Sequence, residues 1–228
     1  MSETVLVIGA HPDDEVLGCG GAIARHVAHG DQVHVAIMGE GAMSRHASSD
    51  ATTTAELARL GECAQRCGEI LGVASIYFHG FPDNRMDSFD QLTINKAVAN
   101  VGERLKPTIV YTHHAFDLNV DHRRIHEAVM TAFRPLPGSI VRKILCFETP
   151  SSTEWQTPVP HLSFTPQFHV DITDLLELKL KALEAYGTEM REFPHPRSLK
   201  GVEYLARLRG AAIGCHAAEA FMVSRIIA

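Results

Sequence analysis

The sequence predicts a doubly wound α/β fold with a mostly parallel sheet and helices on both of its faces. Short β-branched runs alternate with segments of helical periodicity, and the lengths between them suit right-handed βαβ units. Gly and Pro stand where these elements are expected to end. At 228 residues the chain is long enough for one such fold, and we expect a single domain over residues 1–228.

The regular alternation occupies the first part of the chain. Thr4–Gly9 is a continuous apolar run, which is typical of a strand buried on both faces of a sheet. The predicted strands are Thr4–Gly9, Gln32–Met38, Ser75–Phe78 and Thr108–Thr112, and the predicted helices are Val16–Ala28, Thr52–Leu71, Phe89–Leu105 and about His122–Phe133. This order indicates a Rossmann-like sheet.

The pattern changes after the fourth helix. The segment Thr149–Pro166 is rich in Pro, Ser and Thr and contains Trp155, the single tryptophan, which indicates a long functional loop or a cap. Around this segment we expect strands at Val141–Phe147, Phe168–Ile172 and Phe221–Ile226, and helices at Asp174–Tyr186 and near Val202–Gly210.

Composition narrows the classes of function. The formal net charge of −6 comes without a basic stripe, which argues against a nucleic-acid surface. We expect no membrane span and no signal peptide, and therefore a cytoplasmic protein, because no apolar run is long enough and no basic stretch precedes the first one. The five cysteines include no C-x-x-C pair and are expected to stay reduced. The sequence leaves open whether the chain forms a homo-oligomer.

Two segments are dense in residues that bind metals. Ala10–Glu15, with the letters AHPDDE, directly follows the first strand, and Asp117–His122 falls just beyond the fourth. If the strand order is 3-2-1-4-5, the carboxyl ends of the first and fourth strands are neighbours at the point where the order reverses. We therefore expect the two segments to converge on one crevice.

The residue types in these segments suit a catalytic zinc site. Such a site needs about three imidazole or carboxylate ligands, an open position, and a carboxylate outside the ligand set that can accept a proton from water. We predict one Zn²⁺ per chain on His11, Asp14 and His122, with Asp13 as the general base. Asp121 is expected to orient a nearby histidine.

The same residues have a purely structural interpretation. His11 alone could be a satisfied polar residue, and the two aspartates alone could cap a helix and interact with its dipole. However, a histidine and three acidic groups desolvated at one strand end would cost several kcal/mol without a cation to balance them. The metal interpretation is therefore favoured.

These segments resemble the signatures of the PIG-L or LmbE-like de-N-acetylases. Ala10–Glu15 matches the first signature in full, and Asp121-His122 matches the end of the second. The resemblance implies zinc on His11, Asp14 and His122, with Asp13 as the general base. It also implies removal of an acyl group from a small N-acylated amino sugar, and the stretches 151–155 and 194–198 look like a bacterial branch that acts on such substrates.

One position departs from the family pattern. Many members have a histidine three residues before the last ligand that stabilises the oxyanion, whereas this chain has Asn119. His113 and His114 are the candidate substitutes, and the period of a strand points them to opposite faces of the sheet. We predict that His114 turns into the crevice with its imidazole held by Asp121, while Asn119 positions a loop or the substrate.

Several residues at the same end of the sheet are candidates for substrate binding. Arg45 could grip a phosphate or sugar hydroxyls, or be an exposed loop charge. Asp83 and Asn84 could bind sugar hydroxyls or form a turn. His195 and Arg197 could recognise an anionic group, or pack the segment that contains them.

Three classes of function remain after this reasoning. An amide hydrolase acting on an N-acylated amino sugar leads. A metal-dependent phosphoesterase would commonly need two metals, whereas we count ligands for one. A non-catalytic nucleotide- or metal-binding module is disfavoured by the free carboxylate of Asp13, and the glycines around Cys19 do not form a dinucleotide fingerprint. The sequence does not distinguish an acetyl from a formyl substrate, nor does it show what the sugar is linked to.

Overall fold

The computed structural model of the chain describes residues 2–41 and 51–228. Its strands are β1 (Thr4–Gly9), β2 (Gln32–Gly39), β3 (Ser75–Phe81), β4 (Ile109–His113), β5 (Lys143–Phe147), β6 (Phe168–Asp171) and β7 (Ala218–Ile226). They form one sheet in the order β3-β2-β1-β4-β5-β7-β6. The first five are parallel, and β7 runs antiparallel between β5 and β6. This confirms the predicted mostly parallel sheet and the order of its first five strands.

Helices cover both faces of the sheet, as predicted. They are α1 (Asp14–Ala28), α2 (Ala51–Leu71), α3 (Gln91–Leu105), α4 (Val120–Ala132), α5 (Leu176–Glu184) and α6 (Leu199–Ala211). Alternate residues of β1 divide the core: Val5 and Val7 pack with α1, α2 and α5, whereas Leu6 and Ile8 pack with α3 and α4. In the part of the chain that the structure describes, none of these helices has the length and hydropathy needed to span a bilayer.

The helices α1 and α4 begin earlier than their apolar periodicity predicts. α1 begins at Asp14, two residues before Val16, and α4 begins at Val120, two residues before His122. α4 starts there because Asn119 caps it, its Oδ1 accepting the Asp121 N–H at 2.8 Å. As a result, Asp14 and His122 both lie in the first turn of a helix that points its N-terminus at the crevice.

The glycines of α1 let this helix lie directly against the sheet. A Cβ at Gly18 would come within 2.2 Å of the ring of Phe147 on β5, and one at Gly21 would meet Ile172 at 2.6 Å. The glycine-rich segment of α1 is therefore packed closely against its neighbours. The helix is also kinked within this segment, since Cys19 has non-helical dihedral angles of φ −149° and ψ 27°.

A buried ion pair compensates for this distortion. The kink leaves backbone groups of α1 without their usual helical partners. Lys179 Nζ donates to Leu17 O at 2.9 Å, while Glu219 accepts the N–H groups of Gly21 and Ala22 at 2.8 and 2.6 Å. Lys179 and Glu219 are themselves paired at 2.6 Å, and both are buried. The two halves of α1 are therefore joined through α5 and β7.

Removing Glu219 should destabilise the whole fold. Glu219→Ala leaves a buried ammonium and two backbone N–H groups without their acceptor, so we expect the free energy of unfolding to fall by about 3–5 kcal/mol. Urea denaturation followed by circular dichroism measures this change. The matched control is Glu203→Ala, which breaks a largely exposed pair with Arg207 and should cost less than about 1 kcal/mol. Equal losses in the two variants would contradict this account of the kink.

Candidate active site

The two segments that are dense in polar residues meet at the carboxyl ends of β1 and β4. These strands are neighbours in the sheet, with Val5 paired to Ile109 and Val7 paired to Tyr111. His122 Nε2, at the start of α4, lies 3.4 Å from Asp14 Oδ2, at the start of α1. The predicted convergence of the two segments is therefore present.

Three side chains direct ligand atoms towards one point. Asp14 Oδ2 lies 3.5 Å from His11 Nδ1 and 3.4 Å from His122 Nε2. The three residues offer ligand atoms that all lie within 4.8 Å of one another. Donor atoms that share a tetrahedral zinc ion at about 2 Å lie about 3.4 Å apart, so the spacing suits such an ion.

Two buried atoms of this cluster have no hydrogen-bond partner among the described residues. They are Asp14 Oδ1 and His122 Nε2. An unsatisfied buried polar atom is costly, and such atoms are rare in native structures. Their presence in two of the three converging residues fits a site built to bind a cation.

Asp117 orients the imidazole of His122. Its Oδ1 lies 2.9 Å from His122 Nδ1, and because a carboxylate oxygen can only accept, the proton sits on Nδ1. Nε2 is then directed at Asp14, and in the neutral imidazole its lone pair is available to a metal ion. Asp117 is held by hydroxyl groups of Ser152 and Thr153, the latter at 2.5 Å.

Asp121 does the same for His11. Its Oδ2 lies 2.9 Å from His11 Nε2, which leaves His11 Nδ1 facing Asp14. Asp121 also accepts the backbone N–H groups of Asn84 at 2.7 Å and Met86 at 2.9 Å. The carboxylate thus joins the loop after β3 to the cluster of His11, Asp14 and His122, and the histidine that it contacts is His11 rather than His114.

The electrostatics of the cluster favour a cation. Burial alone would lower the pKa of His11, but the bonds to Asp121 and Asp14 raise it to about 10. Burial likewise opposes protonation of His122, yet the charges of Asp14 and Asp117 raise its pKa to about 9. Burial would raise the pKa of Asp14, but the charge of His122 holds it well below its usual range. Metal binding at this site would therefore release protons from the histidines.

Asp13 is adjacent to Asp14 but faces a different partner. Its backbone has the left-handed φ of 103°, which is unusual outside glycine but best tolerated by Asp and Asn. The carboxylate is buried and lies 3.0 Å from Arg197 Nη1. Burial raises the pKa of Asp13 to about 7, against the opposing effect of Arg197. A group with that pKa can exchange protons near neutral pH.

Glu15 supports Asp13 and has no counterpart among the predicted site residues. Its Oε2 accepts the Asp13 N–H at 3.1 Å, and its Oε1 accepts the hydroxyl proton of Tyr186 at 2.7 Å. Burial raises the pKa of Glu15 to about 8. Although Glu15 completes the AHPDDE segment, nothing in the sequence near Tyr186 signals this contact.

The orientation predicted for His114 is wrong. His114 Nε2 contacts Leu162 O at 2.9 Å, and the ring packs against Phe116 and Phe164. β4 ends at His113, and the residue that follows turns away from the cluster to pack under the segment around Leu162. His114 is therefore not available to the crevice in this structure.

His113 is the histidine of β4 that faces the cluster. Its Nε2 lies 3.4 Å from Asp14 Oδ2 and accepts the Ala10 N–H at 2.9 Å, and its ring stacks on His122 at 3.8 Å between centroids. Burial lowers the pKa of His113 to about 4, so it is neutral. Since Nε2 acts as an acceptor, this imidazole does not present a donor to the crevice.

A cleft of about 250 Å³ opens above the cluster. Most residues that line it are polar: His11, Pro12, Asp13, Gly41, Asp83, Asn84, Asn119, Ser151, Glu189, Arg191, His195 and Arg197. The predicted substrate-binding residues Asp83, Asn84, His195 and Arg197 are among them, whereas Arg45 lies outside the described residues.

Two contacts organise the wall of the cleft. Asn119 Nδ2 donates to Asn84 Oδ1 at 3.0 Å, which links the loops that follow β4 and β3. Arg197 Nε donates to Ser151 Oγ at 3.0 Å, while its backbone N–H donates to His195 Nδ1 at 3.1 Å. Arg197 therefore connects Asp13 to the segment that follows β5.

Comparisons with known proteins match this chain to one family and to several relatives. Residues 6–133, more than half of the chain, match the PIG-L family, described as GlcNAc-PI de-N-acetylase. The uncharacterised deacetylase YaiS of Escherichia coli K12 is 29% identical over 80% of this chain and 89% of its own length. The diacetylchitobiose deacetylase of Thermococcus kodakarensis is 28% identical over 82% of this chain and 70% of its own length.

A solved structure with the same fold has a different reaction in its name. GalB, the 4-carboxy-2-hydroxymuconate hydratase of Pseudomonas putida KT2440, superposes with a TM-score of 0.79 and 23% identity, covering 99% of this chain and 98% of its own. This likeness shows the fold alone. The match over residues 6–133 contains both segments of the candidate site. This chain belongs to the PIG-L family of GlcNAc-PI de-N-acetylases.

Proposed function

We propose that this chain is a zinc-dependent amide hydrolase that removes an N-acetyl group from an amino sugar or an amino-sugar conjugate. The observation that carries the proposal is the convergence of ligand atoms from His11, Asp14 and His122 beside a second buried carboxylate, Asp13. The description of the family and the names of two relatives support the same reaction.

The donor set of the cluster suits one zinc ion. Two imidazoles and one carboxylate leave a fourth position open, as catalytic zinc sites do. When bound, zinc would polarise the acyl carbonyl and lower the pKa of water. A second grouping, of His11, Asp83 and Asp121, shares His11 with the first. Because Asp121 already accepts two backbone N–H groups, we count ligands for one ion only.

Asp13 is proposed as the general base. Its buried carboxylate can accept the proton of the attacking water and return it to the amine that leaves. The positive φ directs this side chain away from the ligand set, and Arg197 holds the carboxylate at 3.0 Å. Asp83, Asn84, His195 and Arg197 are proposed to bind the sugar hydroxyls and any anionic group of the substrate.

Asn119 is proposed as the donor that meets the oxyanion. His114 faces away and His113 Nε2 accepts from the backbone, so neither imidazole offers a proton to the cleft. The amide of Asn119 carries two N–H groups, of which one donates to Asn84. The second can serve the negative oxygen that forms as water adds to the carbonyl.

The metal ligands can be tested by binding alone. His122→Ala should lose the zinc ion, because a three-ligand site fails when one ligand is removed. Elemental analysis after stripping with chelator and reloading should find about one zinc per chain in the unaltered protein and much less in the variant. His114→Ala serves as the control, since this buried histidine lies outside the cluster and its loss should leave zinc in place. Full zinc content in His122→Ala would refute the ligand set.

The role of Asp13 separates metal binding from chemistry. Asp13→Asn should keep zinc and fold normally because Asn tolerates the left-handed backbone, but turnover should fall by about 10²–10⁴-fold without a base. Release of primary amine from N-acetylated amino sugars, measured beside zinc content, tests this. The exposed Asp87→Asn is the control and should retain activity. A rate for Asp13→Asn near that of the unaltered protein would remove Asp13 from the mechanism.

The oxyanion donor is tested by three substitutions at one position. Asn119→Ser keeps an N-cap for α4 but loses the amide donor, so kcat should fall by about 10²–10³-fold with zinc retained. Asn119→His supplies a ring N–H and should recover much of this loss. Asn119→Ala, which also removes the cap, should be both slow and less stable. If Asn119→Ser keeps its kcat, another group stabilises the oxyanion.

A further inference from the structure

The single tryptophan of the chain lies beside the rim of the cleft. Trp155 is 53% exposed, and its ring contacts His195 edge to face, with 5.5 Å between centroids. His195 lines the cleft, as does Ser151, four residues before the tryptophan. The indole therefore contacts a side chain that forms part of the cleft wall.

The turn that carries Trp155 is tied to the metal cluster. It is a short 3₁₀ turn, Thr153–Trp155. Ser152 Oγ and Thr153 Oγ1 both donate to Asp117, the carboxylate that orients His122. Thr153 Oγ1 also accepts the Thr149 N–H at 2.8 Å. A ligand that packs on the indole would therefore meet a surface whose backbone is already fixed relative to the catalytic residues.

The volume of the cleft limits what fits inside it. Ligand pockets ordinarily enclose roughly 300–1,000 Å³, whereas this cleft measures about 250 Å³. That space suits one sugar ring with its acyl group above the cluster. A second ring attached to the first would have to lie outside, at the rim where His195 and Trp155 are found.

We propose that Trp155 is a stacking platform for this second ring. The substrate would then be an N-acetylated amino sugar joined to a further ring, rather than a free monosaccharide. Tryptophan offers a large amphipathic surface at low cost in conformational entropy, and the C–H face of a pyranose is the apolar surface that complements it. The proposal rests on the deacetylase function argued above and adds the second subsite to it.

Binding can be measured without turnover. Trp155 is the only tryptophan, so tryptophan emission, excited at a wavelength that tyrosine hardly absorbs, reports on this site alone. Titration of zinc-loaded Asp13→Asn with N,N′-diacetylchitobiose should change the emission in a saturable manner. N-acetylglucosamine, which has one ring, should need at least about a tenfold higher concentration for the same change. An emission spectrum that does not respond to the disaccharide would overturn the proposal.

Kinetics give an independent test in the protein with Asp13 intact. For Trp155→Ala, the ratio of kcat/KM for the disaccharide to kcat/KM for the monosaccharide should fall by about tenfold, mainly through a higher KM for the disaccharide. Trp155→Phe keeps an aromatic face and should recover part of the ratio. Phe78→Ala removes an aromatic side chain of similar exposure, 47%, from β3 and serves as the matched control with an unchanged ratio.

The outcomes separate the subsite from the reaction. If the unaltered protein releases acetate from both sugars and Trp155→Ala leaves the ratio as it was, the reaction stands and the stacking platform is refuted. If the unaltered protein hydrolyses neither sugar but the indole responds to the disaccharide, the subsite stands and the proposed reaction on these sugars fails.

Discussion

The buried carboxylate of Asp14 is the constraint on which the site depends. Removing an ion from water costs several kcal/mol in a protein, so a buried charge must be surrounded by partners that offset this cost. Here His11 and His122 lie 3.5 and 3.4 Å from one oxygen of Asp14. The position of that oxygen at the start of α1, opposite the start of α4, determines where each imidazole has to lie.

The histidines that contact Asp14 are themselves held by hydrogen bonds to further polar groups. Of the two imidazoles that would bind a cation, His122 is hydrogen-bonded to Asp117 and His11 is hydrogen-bonded to Asp121. Those carboxylates are satisfied in turn by hydroxyl groups after β5 and by backbone N–H groups after β3. The loops that follow β3, β4 and β5 are therefore held in place by the need to offset the charge of one buried carboxylate. This explains why a site formed by segments far apart in the chain can still hold its ligand atoms within a narrow range of distances.

Backbone geometry directs two neighbouring carboxylates towards different partners. Asp13 and Asp14 have the same chemistry, yet one faces three histidines and the other faces Arg197. The left-handed φ of Asp13 produces this divergence just before α1 begins. Non-glycine residues adopt that conformation at a cost of about 1–3 kcal/mol, and such strain is concentrated at functional sites. The surrounding contacts, among them the bond from its N–H to Glu15, hold it in place.

The fold and the cluster of His11, Asp14 and His122 were largely predictable because both depend on local patterns. Strand and helix periodicity located β1 to β5. The rule that ligands bind where the strand order reverses predicted that His11 and His122 lie close together. The period of β4 correctly separated His113 from His114 but does not say which of them faces the crevice; the turn after His113 decides that. Contacts that depend on tertiary packing have no signal in the local sequence. One example is the hydrogen bond of Tyr186 to Glu15, 171 residues away. The pairing of Arg197 with Asp13, across 184 residues, is of the same kind.

The cap that Glu219 provides for α1 has a consequence for the order of folding. α1 carries Asp14 and is synthesised before β7, but the acceptor for its interrupted backbone belongs to β7, about 200 residues later. Contacts of such wide sequence separation form late, because loop closure has to precede them. The helix that positions Asp13 and Asp14 therefore reaches its final shape only when β7 inserts between β5 and β6. A nascent chain that lacks this strand should present an incomplete site, so that a metal ion held by the proposed ligands would bind after synthesis of β7 rather than during translation of those residues.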